Sequence, residues 1–291
     1  MKRTALSSLR ATVFAAFLLA AGAAFCAKVP LTVAPGSNFP IVEGEIDGVK
    51  CKLLVDTGAT HTTLDRGFLE KNLPGNALEP VLLGGVTNVK VEPSITEVKS
   101  FKLGEMDFGP CPVMVLDLAH VADASRRQLD GILGMNMLGL TRTIISLGGG
   151  YVEFSAPASA REGFAPARRT HLEDPLTITL KCEKPDATVF IDSGASFTFF
   201  PKDAGWPAAS TNAFIIGATD VNVAGQGIEC LPGVEGEITF PASDARIPAR
   251  PLLSTQPLNR IGSDTLKNCD ILIEPAMVGF RRARKNETLS Q

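Results

Sequence analysis

Leu53–Leu64 reads L-L-V-D-T-G-A-T-H-T-T-L. Its apolar start predicts a strand that delivers one acid, Asp56, to its end. Thr57 and Gly58 then turn the chain away, glycine being the residue that lets the backbone turn tightly. Thr188–Phe199 repeats the design as T-V-F-I-D-S-G-A-S-F-T-F, with Asp192 standing 136 positions after Asp56. One chain thus carries two carboxylate turns of matching pattern.

Working outward, Pro40–Asp47 and Val49–Val55 predict a hairpin through the tight-turn pair Asp47-Gly48. A short helix is expected over Asp65–Leu73, strands over Val98–Leu103 and Cys111–Leu116, and a hairpin closing the first half over Thr143–Ser146 and Tyr151–Phe154. Residues 156–174 hold Pro157, Pro166, Arg161, Arg168 and Arg169 without apolar periodicity, the texture of a linker. Beyond it the first half recurs in order. Leu176–Leu180 and Ala187–Ile191 are strands leading to Asp192. Leu82–Val91 (L-L-G-G-V-T-N-V-K-V) is answered by Ile215–Val223 (I-I-G-A-T-D-V-N-V). Ile132–Leu138 (I-L-G-M-N-M-L) is answered by Arg260–Leu266 (R-I-G-S-D-T-L), which sets Gly134 opposite Gly262 and Asn136 opposite Asp264.

The chain has 291 residues, 45% hydrophobic and 20% charged, with net charge −3. That is a globular composition, and the absence of a basic stripe argues against nucleic acid as partner. Residues 1–24 carry Lys2, Arg3 and Arg10 and no acid, followed by an apolar stretch from Ala11 to Ala24. This reads as a secretory signal cleaved after Ala23 or Ala24, with an uncleaved anchor as the alternative. Phe25 is too bulky for Cys26 to be read as a lipoprotein cysteine. Export to the periplasm or the outside of the cell is expected, with no stable membrane association after cleavage. Cleavage after Ala23 or Ala24 keeps Cys26; if Cys26 instead left with the signal, five cysteines would remain and at least one thiol would be unpaired in an oxidising compartment. No C-x-x-C or H-x-x-x-H spacing supports a metal site, and no cofactor is expected.

The hydrophobic-hydrophobic-Asp-Thr/Ser-Gly-Ala turns, each followed by an apolar-Gly segment, resemble the aspartic peptidases. D-T-G-A-T and I-L-G-M-N-M-L resemble the retropepsin-like members, including bacterial ones, and the duplicated single-chain layout resembles pepsin. The resemblance spans roughly Pro40 to Glu274. It implies a mostly β fold of two similar retropepsin-like β-barrel lobes, related by a pseudo-two-fold axis with the active-site cleft between them. The expected layout is a signal at 1–24, an N-terminal lobe at 30–155, a linker at 156–174, a C-terminal lobe at 175–279 and a polar tail at 280–291.

The same resemblance implies an aspartic-type endopeptidase, a hydrolase of peptide or protein substrates. Asp56 and Asp192 would be its dyad, complete within one chain and so within a monomer. Two close carboxylates share a proton, which provides an acid and a base at one pH. Which aspartate does which is open at this point, since the proton belongs to the pair. In the family, the hydroxyls corresponding to Thr57 and Ser193 reach across the axis to lock the two turns. Gly58 and Gly194 would approach the carboxylates with N–H donors, and Gly134 and Gly262 would let a crossing segment pack against each turn. Gly84, Gly85 and Val86, with Gly217 and Ala218, are the candidate flaps.

Departures are informative. Ala59 and Ala195 stand where pepsin-like enzymes have a hydroxyl residue, which predicts a mildly acidic to near-neutral optimum. The only tyrosine, Tyr151, lies outside the flap hairpins. Met135 and Ser263 replace the arginine that retropepsins carry after the later glycine, and Arg260 fills an apolar place. Asp130, Asp264 and His61 read as turn, capping and loop residues. The alternative function is a catalytically silent peptide-binding module using the same cleft. Glycosidases also pair carboxylates, without this duplication as their usual signature.

Overall fold

The computed structural model describes residues 26–33, 38–80, 93–119, 129–156, 163–168, 176–180, 187–217, 227–239, 246–257, 259–275 and 277–283. The expected signal segment and the candidate flap residues Gly84, Gly85, Val86 and Ala218 lie outside them. Gly217 ends the strand Phe214–Gly217, where it pairs with Gly227.

The chain is mostly β. The strands Pro40–Ile46 and Val49–Val55 form the expected hairpin, with Asp47 (φ 50°) and Gly48 (φ 83°) both left-handed at its turn. The Asp47 carboxylate also accepts from the Lys99 and Ser100 N–H groups, at 2.7 and 2.8 Å. The expected strand over Val98–Leu103 is interrupted there, giving Ser94–Val98 and Phe101–Leu103. Arg66–Asn72 is helical, capped by Asp65, whose Oδ1 accepts from Phe68 N–H at 2.9 Å.

What positions the site is one arrangement made twice. Gly131–Leu133 runs parallel to Val49–Val55, pairing Leu133 with Val55 and Ile132 with Leu54. Arg260–Ile261 runs parallel to Ala187–Ile191, pairing Ile261 with Ile191 and Arg260 with Phe190. Each two- or three-residue crossing strand then enters a single helical turn, Met135–Leu138 or Ser263–Leu266.

The two halves of the chain share a sheet. Arg142–Ser146 pairs antiparallel with Cys269–Glu274, which pairs in turn with Met277–Arg282. One apolar cluster includes Val55 and Leu133 from the first half and Ile191, Ile261, Ile271 and Phe280 from the second.

Three expected boundaries differ in the structure. The polar tail at 280–291 is wrong at its start, because Phe280–Arg282 belong to a strand in which Phe280 is fully buried. Strand alternation explains this: Phe280 faces the core while Arg281, next in line, bonds Asp270. The linker at 156–174 contains a strand, Ala165–Arg168, paired with Met277–Arg282. Pro166 does not exclude it, since proline is tolerated at a sheet edge and this strand ends the sheet. The first strand, Cys26–Val33, begins ahead of the expected lobe start at residue 30 and pairs with both Tyr151–Ser155 and Pro40–Ile46.

Candidate active site

Each strand end is held by the backbone before any side chain acts. Asp56 N–H donates to the Leu133 carbonyl and Asp192 N–H to the Ile261 carbonyl, both at 3.0 Å. Ala59 N–H closes back on Asp56 O, and Ala195 N–H on Asp192 O. The crossing segments bond the turns from the other side, Met135 N–H to Ala59 O and Ser263 N–H to Ala195 O, each at 2.8 Å. The carboxylates are aimed locally: Asp56 Oδ1 accepts from Gly58 N–H at 2.8 Å, and Asp192 Oδ1 from Ala195 N–H at 3.0 Å.

The two turns interlock through Thr57 and Ser193, both fully buried. Thr57 Oγ1 donates to the Ile191 carbonyl at 2.6 Å and accepts from Ser193 N–H at 3.0 Å. Reciprocally, Ser193 Oγ donates to the Val55 carbonyl at 2.7 Å and accepts from Thr57 N–H at 3.1 Å. Each hydroxyl thus serves as donor and acceptor, and both turn N–H groups are satisfied away from water. Leu176 N–H adds a further tie by donating to Thr57 O at 2.8 Å.

The glycines show how close the turns come. A Cβ on Gly58 would sit 2.6 Å from Asp192 Cγ, and one on Gly194 would sit 2.5 Å from Asp56 Oδ2. Each carboxyl therefore lies over the glycine of the opposite turn. Neither glycine has a left-handed φ, so space rather than backbone freedom is what requires them. Gly134 and Gly262 are crowded differently. A Cβ on Gly134 would stand 2.6 Å from the His61 carbonyl oxygen, and one on Gly262 would strike the Phe197 carbonyl.

Behind the turns lies a layer the sequence reading missed. Thr62 Oγ1 accepts from Gly134 N–H at 3.1 Å and donates to Asn136 Oδ1 at 2.9 Å. Thr198 Oγ1 accepts from Gly262 N–H at 3.0 Å and bonds Asp264 Oδ1 at 2.7 Å. A signal lies in the sequence: each threonine stands six positions after its aspartate, and Asn136 and Asp264 hold matching places in the two apolar-Gly segments. Burial pushes the Asp264 carboxyl up from its ordinary value, against the pull of its hydrogen bonds from Thr198 and Thr265. Ser263, in the place of the missing retropepsin arginine, donates its hydroxyl to Ser193 O at 2.5 Å.

A second missed residue is Arg260. Its Nε lies 3.2 Å from Asp192 Oδ2. Asp130 and Asp264 both bond within their own surroundings, Asp264 from inside the helical turn rather than as its cap, which is Gly262. Asp130 Oδ2 accepts from Lys52 N–H at 2.8 Å, and its carboxyl is pushed up by burial. His61 is exposed, with its ring against Thr60 Oγ1.

Residues 42–137 match the family described as Aspartyl protease. The matched stretch carries Asp56, Thr57, Gly58 and Gly134. Asp192, Ser193, Gly194 and Gly262 fall beyond it, so their part in the site rests on the geometry above. No curated protein matches the chain.

Proposed function

We propose that this chain is an exported aspartic endopeptidase of two retropepsin-like lobes, hydrolysing peptide bonds with a water activated by Asp56 and Asp192. The observation that carries the reading is the reciprocal packing of Gly58 against Asp192 and of Gly194 against Asp56, locked by the Thr57 and Ser193 hydroxyls. Two carboxyls, each lying over the glycine of the opposite turn, cannot both ionise easily at close range, so one proton is shared between them. One carboxylate takes a proton from the bound water as the water attacks the peptide carbonyl. Its partner donates a proton to the carbonyl oxygen, giving a tetrahedral diol with no covalent enzyme intermediate. No metal or cofactor enters the scheme, and both carboxyls come from one chain.

The lobes are proposed from the duplicated hydrogen-bond pattern at 56–59 with 131–138 and at 192–195 with 260–266. Export rests on the basic-then-apolar leader. Among the described residues no helix is long and apolar enough to cross a membrane. The ion pair between Arg260 and Asp192 is the observation on the side of a silent peptide-binding module, in which that carboxylate would serve as a fixed anion.

Cleavage of a mixed peptide library across a pH series separates the two. Wild type should cut, with Asp56→Asn and Asp192→Asn reduced by about 100- to 10,000-fold, the usual worth of a positioned acid or base. The same background from all three would leave only the binding module.

A further inference from the structure

Resting on the peptidase reading, we propose that Arg260 divides the labour within the dyad. Its guanidinium keeps Asp192 as the ionised partner, which takes the proton of the attacking water. Asp56 is left as the partner that carries the shared proton to the carbonyl oxygen.

The two turns are alike in backbone bonding and unlike in charge. Ile132 and Arg260 occupy the same ladder position: Ile132 pairs with Leu54 and Thr63, Arg260 with Phe190 and Phe199. Ile132 is buried in an apolar cluster with Phe39, Ile41 and Leu54, against which Ala59 packs. The second crossing strand has a cation at that position, and it reaches the carboxylate of its own turn at 3.2 Å. The side chains of Arg260 and Asp192 are only 18% and 10% exposed, so solvent screens the pair weakly.

Among the described residues, Arg260 of the crossing strand is the cation at contact distance from the Asp192 carboxyl, and Asp56 belongs to the turn whose Gly58 lies against that carboxyl. Asp264, on the helical turn that follows, is engaged by Thr198 and Thr265 instead. A proton shared between two carboxyls settles on the one whose ionisation is less favoured. A cation at contact distance favours the ionised form of Asp192, so the proton rests on Asp56.

The steps then balance. Water forms its bond to the carbonyl carbon and gives a proton to Asp192, while the carbonyl π pair takes the proton of Asp56. Collapse returns a proton from Asp192 to the leaving nitrogen and one from the diol to Asp56. Arg260 touches neither water nor peptide in this scheme and is a positioning residue for charge. It also opposes the alkaline drift expected from Ala59 and Ala195, keeping the profile toward acid.

Two readouts test this. The first is the pH dependence of kcat/KM for wild type, Arg260→Leu and Arg260→Lys, each checked for a native melting transition. The acid limb should move up by about one pH unit or more in Arg260→Leu, and lysine should restore most of it. The second is carboxyl-carbon NMR titration of chain labelled with 13C-aspartate, with Asp56→Asn used for assignment. Asp192 should ionise before Asp56 in wild type, and the wild-type titration needs neither arginine variant. Asp56 ionising first, or an acid limb that stays put in Arg260→Leu, would overturn the proposal. A chain that cuts no peptide yet shows Asp192 ionising first would sink the peptidase reading and leave the charge assignment standing.

Discussion

Thr57 shows how much one side chain carries. Its hydroxyl donates to Ile191 O and accepts from Ser193 N–H, both buried, so its removal strands a donor and an acceptor at once. Thr57→Val should cost about 2–6 kcal/mol in urea unfolding, since the Ile191 carbonyl and the Ser193 N–H both lose this partner in a buried site. Thr57→Ser should be nearly silent. Equal losses for the two variants would show that volume rather than the hydroxyl matters. Gly58 is subject to a different constraint. Gly58→Ala drives a methyl into the Asp192 carboxyl, so kcat should collapse while the melting temperature falls only modestly. Asp56, Thr57 and Gly58 were legible in the sequence because they sit on a short pattern whose chemistry demands those residue types. Arg260 was visible only as an exception to an apolar place. That it reaches Asp192 depends on the parallel pairing with Ala187–Ile191, which no local pattern encodes.

At the level of elements, the crossing strands with their single helical turns are what make two remote turns rigid. Thr62 with Asn136 and Thr198 with Asp264 do the same job with one chemical difference. Asn136 is always neutral, whereas Asp264 must ionise in a site where burial raises its pKa. The folded state therefore holds that proton more tightly than the unfolded chain. The contribution is full at a pH below the unfolded value and is lost as pH rises through the folded value. Asp264→Asn should match wild type in melting temperature at low pH and exceed it at neutral pH, because the amide oxygen still accepts from Thr198. A gap that is constant with pH would contradict this. The hairpin at Asp47-Gly48 and the capped helix Arg66–Asn72 were legible because turn and cap residues are local signals. The strand Ala165–Arg168 was not, because its proline and arginine resemble a linker unless the edge it joins is known.

Over the whole molecule, the sheet joining Arg142–Ser146 to Cys269–Glu274 couples the two halves. At one end of this ladder Asp270, buried, accepts from Ser146 Oγ at 2.6 Å and from Arg281 Nε at 2.8 Å, and Arg281 also covers the Phe164 ring. Removing one partner of such a pair leaves the other uncompensated. Asp270→Ala should therefore lower stability by about 3–5 kcal/mol, read from the urea midpoint, with little change in the pH profile of any remaining activity. The duplication visible in the sequence anticipated two matching turns. The shared sheet comes from pairings across more than 120 residues, which periodicity does not report. The central claim is that Asp56 and Asp192 of one chain form one dyad. Its most direct measurement is the peptide-cleaving activity of Asp56→Asn and Asp192→Asn, each alone and after the two are unfolded and refolded together. The account predicts that both are inactive and that the mixture stays inactive, since neither chain can supply the other's missing carboxylate. Activity that returns in the mixture, or a near-wild-type rate from either variant alone, would contradict it.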